Sequence, residues 1–143
     1  MVEHGPAAVV QAWLLASWLS RVLGWRVQTG RVTPGVEMSW QFATARGTAR
    51  VGIRRLESGP AEVRRVRIGT ALDGKPVTLN VTPEGPQRLS LLVEGLDAAA
   101  RTVTVPPQSG VELVGRQLSD RERDPVFRDS MAVAQVMAQS VRG

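Results

Sequence analysis

Seven arginines, Arg46, Arg50, Arg54, Arg55, Arg64, Arg65 and Arg67, make the densest basic region of the chain. A guanidinium donates two parallel hydrogen bonds from a rigid fork, which suits carboxylates and phosphates. The chemistry on offer is recognition of an anion or of an acidic protein surface. A solvated sheet face is the plain alternative, and the residues alone do not separate the two. Lys75 is the single lysine, and the net charge is +5. Nucleic acid is the lesser expectation. Single-strand binders pair a basic groove with stacking aromatics, whereas aromatic content here is 4%. No zinc-finger spacing and no glycine-rich RNA-binding signature occurs either.

The remaining candidate motifs read more plainly. Gly69-Thr70-Ala71-Leu72-Asp73-Gly74-Lys75-Pro76 has phosphate-loop spacing up to its last position. That position needs a Ser or Thr hydroxyl to hold magnesium, which Pro76 cannot supply. Strand-like residues follow, not a helix whose N-terminus would face a phosphate. The segment reads as a hairpin turn at Asp73-Gly74. Asn80-Val81-Thr82 is a formal glycosylation sequon, but it falls inside a strand pattern with no secretory signal before it. The absence of Cys excludes disulfides and thiolate metal sites. The single histidine, His4, sits on a terminus expected to be loose. Most zinc sites are thereby removed, and Ser-His-Asp chemistry lacks a held base. Glu112, Asp120, Glu122, Asp124 and Asp129 lie where helix caps and exposed faces carry acids. The expectation is a protein that is not an enzyme and needs no metal and no cofactor.

These residues must be positioned by a fold of limited size. A chain of 143 residues suits one domain, 1–143, and can bury roughly 68–70% of its unfolded surface. Pro6 to Leu23 is apolar on nearly every side and predicts a helix covered from several directions. Gln11, Ser17, Ser20 and Arg21 interrupt it, so a core helix is expected and not a membrane span. Gly24 ends it, and Trp25 is placed to pack back. From Val36 to Val105 the period becomes two. Met38, Trp40 and Phe42, then Val51 and Ile53, then Val66 and Ile68 alternate with polar residues, as do Val77 to Val81, Leu89 to Val93, and Val103 with Val105. Short turns between these runs predict an antiparallel meander of about six strands. Strands two and three are expected to pair through Ser58-Gly59-Pro60, which would set Arg50 and Arg54 beside Arg65 and Arg67. Ser109 is a plausible cap for a helix through Val111, Val114 and Leu118. Asp124-Pro125 caps a last helix, with Phe127, Met131, Ala134, Ala138 and Val141 as its apolar stripe. The fold class is therefore α+β and two-layered: an N-terminal helix and two C-terminal helices on one face of a mostly antiparallel sheet.

Two stretches carry a family resemblance. Glu112-Leu113-Val114-Gly115-Arg116-Gln117-Leu118, followed by Asp124-Pro125-Val126-Phe127, resembles the closing region of the bacterial glucose-6-phosphate dehydrogenase assembly proteins (OpcA). Leu15-Ala16-Ser17-Trp18-Leu19-Ser20-Arg21-Val22-Leu23-Gly24-Trp25 resembles the helix that opens the C-terminal half of that family. On this resemblance an additional N-terminal half is expected in family members, and this chain corresponds to their C-terminal part. It implies a cytoplasmic, non-catalytic partner that binds glucose-6-phosphate dehydrogenase, at the entry to the pentose phosphate pathway, and promotes its assembly or activation. The expected contact residues are Arg50, Arg54, Arg65 and Arg67 on the sheet, with Arg116 and Arg128 at the helical end. The ring of Phe127 is expected to be buried.

Overall fold

The computed structural model describes residues 1–97, 99–106 and 124–141. Among them are eight strands and two helices: β1 (Val2–His4), α1 (Val9–Val22), β2 (Arg26–Thr33), β3 (Glu37–Thr44), β4 (Gly47–Arg55), β5 (Val63–Leu72), β6 (Lys75–Gly85), β7 (Arg88–Glu94), β8 (Arg101–Thr104) and α2 (Pro125–Ser140). The class is α+β with mostly antiparallel pairing, as expected, but the count of about six strands is corrected to eight. Strands β3 to β8 are the six runs of alternating residues; β1 and β2 are additional. Of the three expected helices, two are present among the described residues. The helix expected from Ser109 lies outside them. The chain divides into two units, Met1–Val63 with Asp124–Gly143, and Arg64–Arg123.

In the first unit the strand order is β2-β3-β4-β1. Parity organises β3 and β4. Met38 faces Ile53, Trp40 faces Val51 and Phe42 faces Ala49, whereas Glu37 faces Arg54 and Gln41 faces Arg50. Trp40, Phe42 and Ile53 are fully buried, each burial contributing about 1.5–3 kcal/mol. β1 corrects two expectations. The terminus is not loose: Val2 pairs in parallel with Ile53, and His4 with Arg55. His4 is buried, and its Nδ1–H donates to the Gly5 carbonyl at 2.8 Å. Because β1 takes the second edge of β4, the Ser58–Pro60 turn does not close a hairpin there. Its flanks hold the N-terminal strand instead: Leu56 N–H donates to His4 O at 2.8 Å and Gly5 N–H to Glu62 O at 2.9 Å.

Helix α1 overturns the picture of cover on every side. It starts at Val9, with Pro6 and Ala7 in a preceding turn. Its buried residues are the small ones, Ala12, Ala16, Ser17 and Ser20. Small side chains let the helix axis come close to its neighbours. The two serines satisfy themselves, donating to the carbonyls of Trp13 and Ala16 at 2.8 Å. The large residues Val10, Trp18, Val22 and Leu23 are exposed. Gly24 closes the helix at φ +67°. Trp25 packs back as expected, its N–H on Ser20 O and its ring 6.2 Å from that of Phe42.

Helix α2 begins on the expected cap. Asp124 Oδ1 accepts from Val126 N–H at 2.9 Å and Phe127 N–H at 3.1 Å, with Pro125 in the first turn. Asp124→Ala is expected to lower unfolding free energy by about 1 kcal/mol, read as a shift in urea midpoint at unchanged slope. The apolar stripe is rotated from the expected one. Ser130 and Met137 are buried, while Met131 and Ala138 are exposed and Phe127 is 54% exposed. The ring of Phe127 is therefore not core. At the other end of the helix, the Met137 carbonyl accepts both Trp40 Nε1–H at 2.9 Å and Ser140 Oγ–H at 2.8 Å. An orphan carbonyl of the last turn is thus satisfied from β3.

In the second unit β5, β6, β7 and β8 form an antiparallel meander. Asp73 and Gly74 both have positive φ, 51° and 76°, between the paired residues Leu72 and Lys75. This is the two-residue hairpin turn and not a phosphate loop. Val66 pairs with Val81 and Val81 with Leu91, one apolar row; Arg67 pairs with Asn80 and Asn80 with Leu92 on the opposite face. Val66, Ile68, Leu79, Val81 and Leu91 remain half-buried. The helical cover expected over Val66 and Ile68 is not present among the described residues of this unit, none of which is helical.

Candidate functional site: two arginine clusters and a helical groove

The expected sheet arginines fall in both units, Arg50 and Arg54 in the first and Arg65 and Arg67 in the second. Arg50 and Arg54 belong to the first unit, where Gly52 between them leaves room for Glu37 and the Met1 side chain. Glu37 lies 3.5 Å from Arg50 and 3.1 Å from Arg54 through its two carboxylate oxygens. One half-buried acid thus stands between two exposed guanidiniums, and ion pairs with exposed partners contribute about 1 kcal/mol or less.

Arg65 and Arg67 belong to the second unit. They line a hollow of about 310 Å³ with Asn80, Thr82, Ser90, Leu92 and Glu94. Strand register explains the set: each residue stands on the same side of its strand in neighbouring cross-strand rows. The lining is polar, with hydroxyls, one amide and the Glu94 carboxylate beside the guanidiniums. Arg116 lies outside the described residues. Arg128 is exposed, as expected, and stands 3.6 Å from Asp129.

A third feature goes beyond the expected contacts. A groove of about 610 Å³ runs between α1 and α2, lined by Val10, Trp13 and Leu14 on one wall and by Arg128, Met131, Ala134, Gln135 and Ala138 on the other. The two helices meet in opposite sequence directions: Ser17 reaches Met137, and Arg21 pairs with Asp129 at 3.0 Å. Trp13 packs on Trp40 at 5.2 Å between ring centroids. Its Nε1–H is buried with no acceptor among the described residues, a penalty of about 1–3 kcal/mol. The groove follows from the inverted burial of α1. Small residues fill the interior, so Trp13 and Leu14 are only half-buried and Val10 is exposed. Sequence carried a signal for it, since α1 holds more large apolar residues than one buried stripe can use.

Among the described residues, no group of three or more His, Cys, Asp or Glu side chains is placed to hold a metal. No helix among them is long and apolar enough to cross a membrane.

A family model describing the C-terminal domain of a glucose-6-phosphate dehydrogenase subunit matches residues 1–131. No curated protein and no solved structure matches the chain.

Proposed function

The chain belongs to the family defined by that C-terminal domain of a glucose-6-phosphate dehydrogenase subunit, and from that premise we propose that it is a non-catalytic factor that binds glucose-6-phosphate dehydrogenase and promotes its assembly or activation. The family match over residues 1–131 is the observation that carries this reading. The surfaces agree with it in kind. Large apolar side chains exposed on paired helices suit a protein partner, and arginines at their margin suit an acidic one.

Activation by binding has a definite physical form. The factor must bind the active arrangement of the enzyme more tightly than the inactive one, and the population shifts by that ratio of affinities. Each tenfold preference corresponds to about 1.4 kcal/mol. Binding is reciprocal, so whatever favours the active enzyme must also tighten the factor. Titrating the chain into the dehydrogenase should give a saturable change in turnover. Substrate or nucleotide that favours the same enzyme form should lower the half-saturating concentration. A flat response, with and without substrate, would count against the proposal.

The polar hollow at Arg65 and Arg67 favours a second reading, a module that binds a small anion. Its affinity for inorganic phosphate would fall with rising salt, and no stabilisation by millimolar phosphate at low salt would remove it. A nucleic-acid ligand would show a still steeper salt slope.

A further inference from the structure

We propose that the groove between α1 and α2 is the seat of the dehydrogenase, and that it receives one amphipathic helix whose apolar stripe lies along Trp13, Leu14 and Met131 and whose carboxylate meets Arg128. This rests on the reading above and adds the place and the chemistry of the contact.

Burial is the first ground. Amphipathic helices ordinarily turn large apolar residues inward. Here the buried residues of α1 are Ala12, Ala16, Ser17 and Ser20, and α2 buries Met137 and Ser130, while Val10 is 66% and Met131 45% exposed. Apolar surface in water costs about 25 cal/mol per Å², and a second protein surface removes that cost.

Shape is the second ground. Val10, Trp13 and Leu14 follow one helical stripe, and Arg128, Met131 and Gln135 follow another facing it. Ala134 and Ala138 keep the second wall low, so a third helix axis can approach to the roughly 8–10 Å of close helix packing. Laying an apolar stripe into such a cleft is a recurrent recognition mode.

Charge selects the occupant. Among the described residues lining the groove, Arg128 is the one that is charged. It stands in the first turn of α2, whose N–H groups the Asp124 carboxylate caps. Its guanidinium lies 3.6 Å from Asp129 Oδ1 while Arg21 takes Asp129 Oδ2 at 3.0 Å, so two cations share that one carboxylate. A carboxylate on the incoming helix is the complementary group. A second copy of this chain does not supply it from these helices. Val9–Val22 contains no Asp or Glu, and α2 contains only Asp129, which Arg21 and Arg128 already share within the chain.

The test uses the full chain and its cognate dehydrogenase, with affinity measured by calorimetry. Val10→Asp and Met131→Asp change exposed side chains, so fold should persist, checked by far-UV dichroism and the urea midpoint. Each should raise Kd about tenfold or more. Arg128→Glu should raise it several-fold and flatten its dependence on salt. Val36→Asp, at an exposed site outside the groove, should leave Kd unchanged. Parent-like binding by both groove variants would overturn the inference and leave the proposed function standing. So would a dimer of the chain alone that Val10→Asp dissociates, or binding to anionic vesicles that the groove variants abolish. No binding by the parent chain would defeat the proposed function and this inference with it.

Discussion

Trp40→Ala is expected to lower unfolding free energy by about 3–5 kcal/mol, the range for truncating a fully buried aromatic. Trp40 is 1% exposed, and its ring packs against Trp13 at 5.2 Å. Its indole N–H also satisfies the Met137 carbonyl at 2.9 Å. Truncation therefore leaves a cavity and weakens the seating of α2 in one step. Against a total stability of about 5–15 kcal/mol for a domain, the loss should leave the first unit marginal. Urea unfolding followed by tryptophan fluorescence would read it. Trp40→Phe separates the two contributions: most of the volume stays and the hydrogen bond goes, so about 0.5–1.5 kcal/mol beyond the packing change is expected. A Trp40→Ala variant with the parent's midpoint would contradict the placement of this ring.

Gly30→Ala should also destabilise, by about 1–3 kcal/mol, although alanine in place of strand glycine usually helps. A Cβ at Gly30 would lie 2.8 Å from Trp40 Cδ1 and Nε1 and 2.9 Å from Ser140 Oγ. The indole cannot move away easily, because it is held between Trp13 and the Met137 carbonyl. Gly30 is thus the opening through which the Trp40 ring crosses β2 to reach α2. Gly69 on β5 is the control, since nothing lies within 4 Å of a Cβ there. Gly69→Ala should be neutral or mildly stabilising. The opposite signs of the two glycine changes are the diagnostic, read from urea midpoints under one set of conditions.

Legibility in the sequence follows the range of the forces involved. Strands β3 to β8 are readable because one buried face imposes alternation, and parity then places Arg50 and Arg54 opposite Trp40 and Ile53 without further information. The Asp73-Gly74 turn and the Asp124 cap are readable because each is decided within four residues. β1 is not readable: three residues cannot show a period, and its parallel partner lies about fifty positions away at Ile53–Arg55. β2 escapes notice because it is an edge strand with a register shift between Val27 and Thr29 and mostly exposed residues.

The helices fail in a more instructive way. An all-apolar pattern says that α1 is sticky but not which side faces in, and Ala12, Ala16, Ser17 and Ser20 take the interior because close approach favours small side chains. Size alone assigns Phe127 to the core, yet the core of α2 turns on Ser130 and Met137. For the candidate site, the arginines are legible as a cluster. Their division between two units and the acid Glu37 between Arg50 and Arg54 depend on which residues neighbour them across strands. The groove depends on a helix rotation that composition does not encode.

Sedimentation velocity on a mixture of this chain with glucose-6-phosphate dehydrogenase tests the binding claim most directly. A faster boundary carrying both proteins, saturating at a fixed ratio and persisting at physiological salt, is the expected result. Two boundaries that move as each protein does alone, at low salt as well as physiological salt, would contradict it.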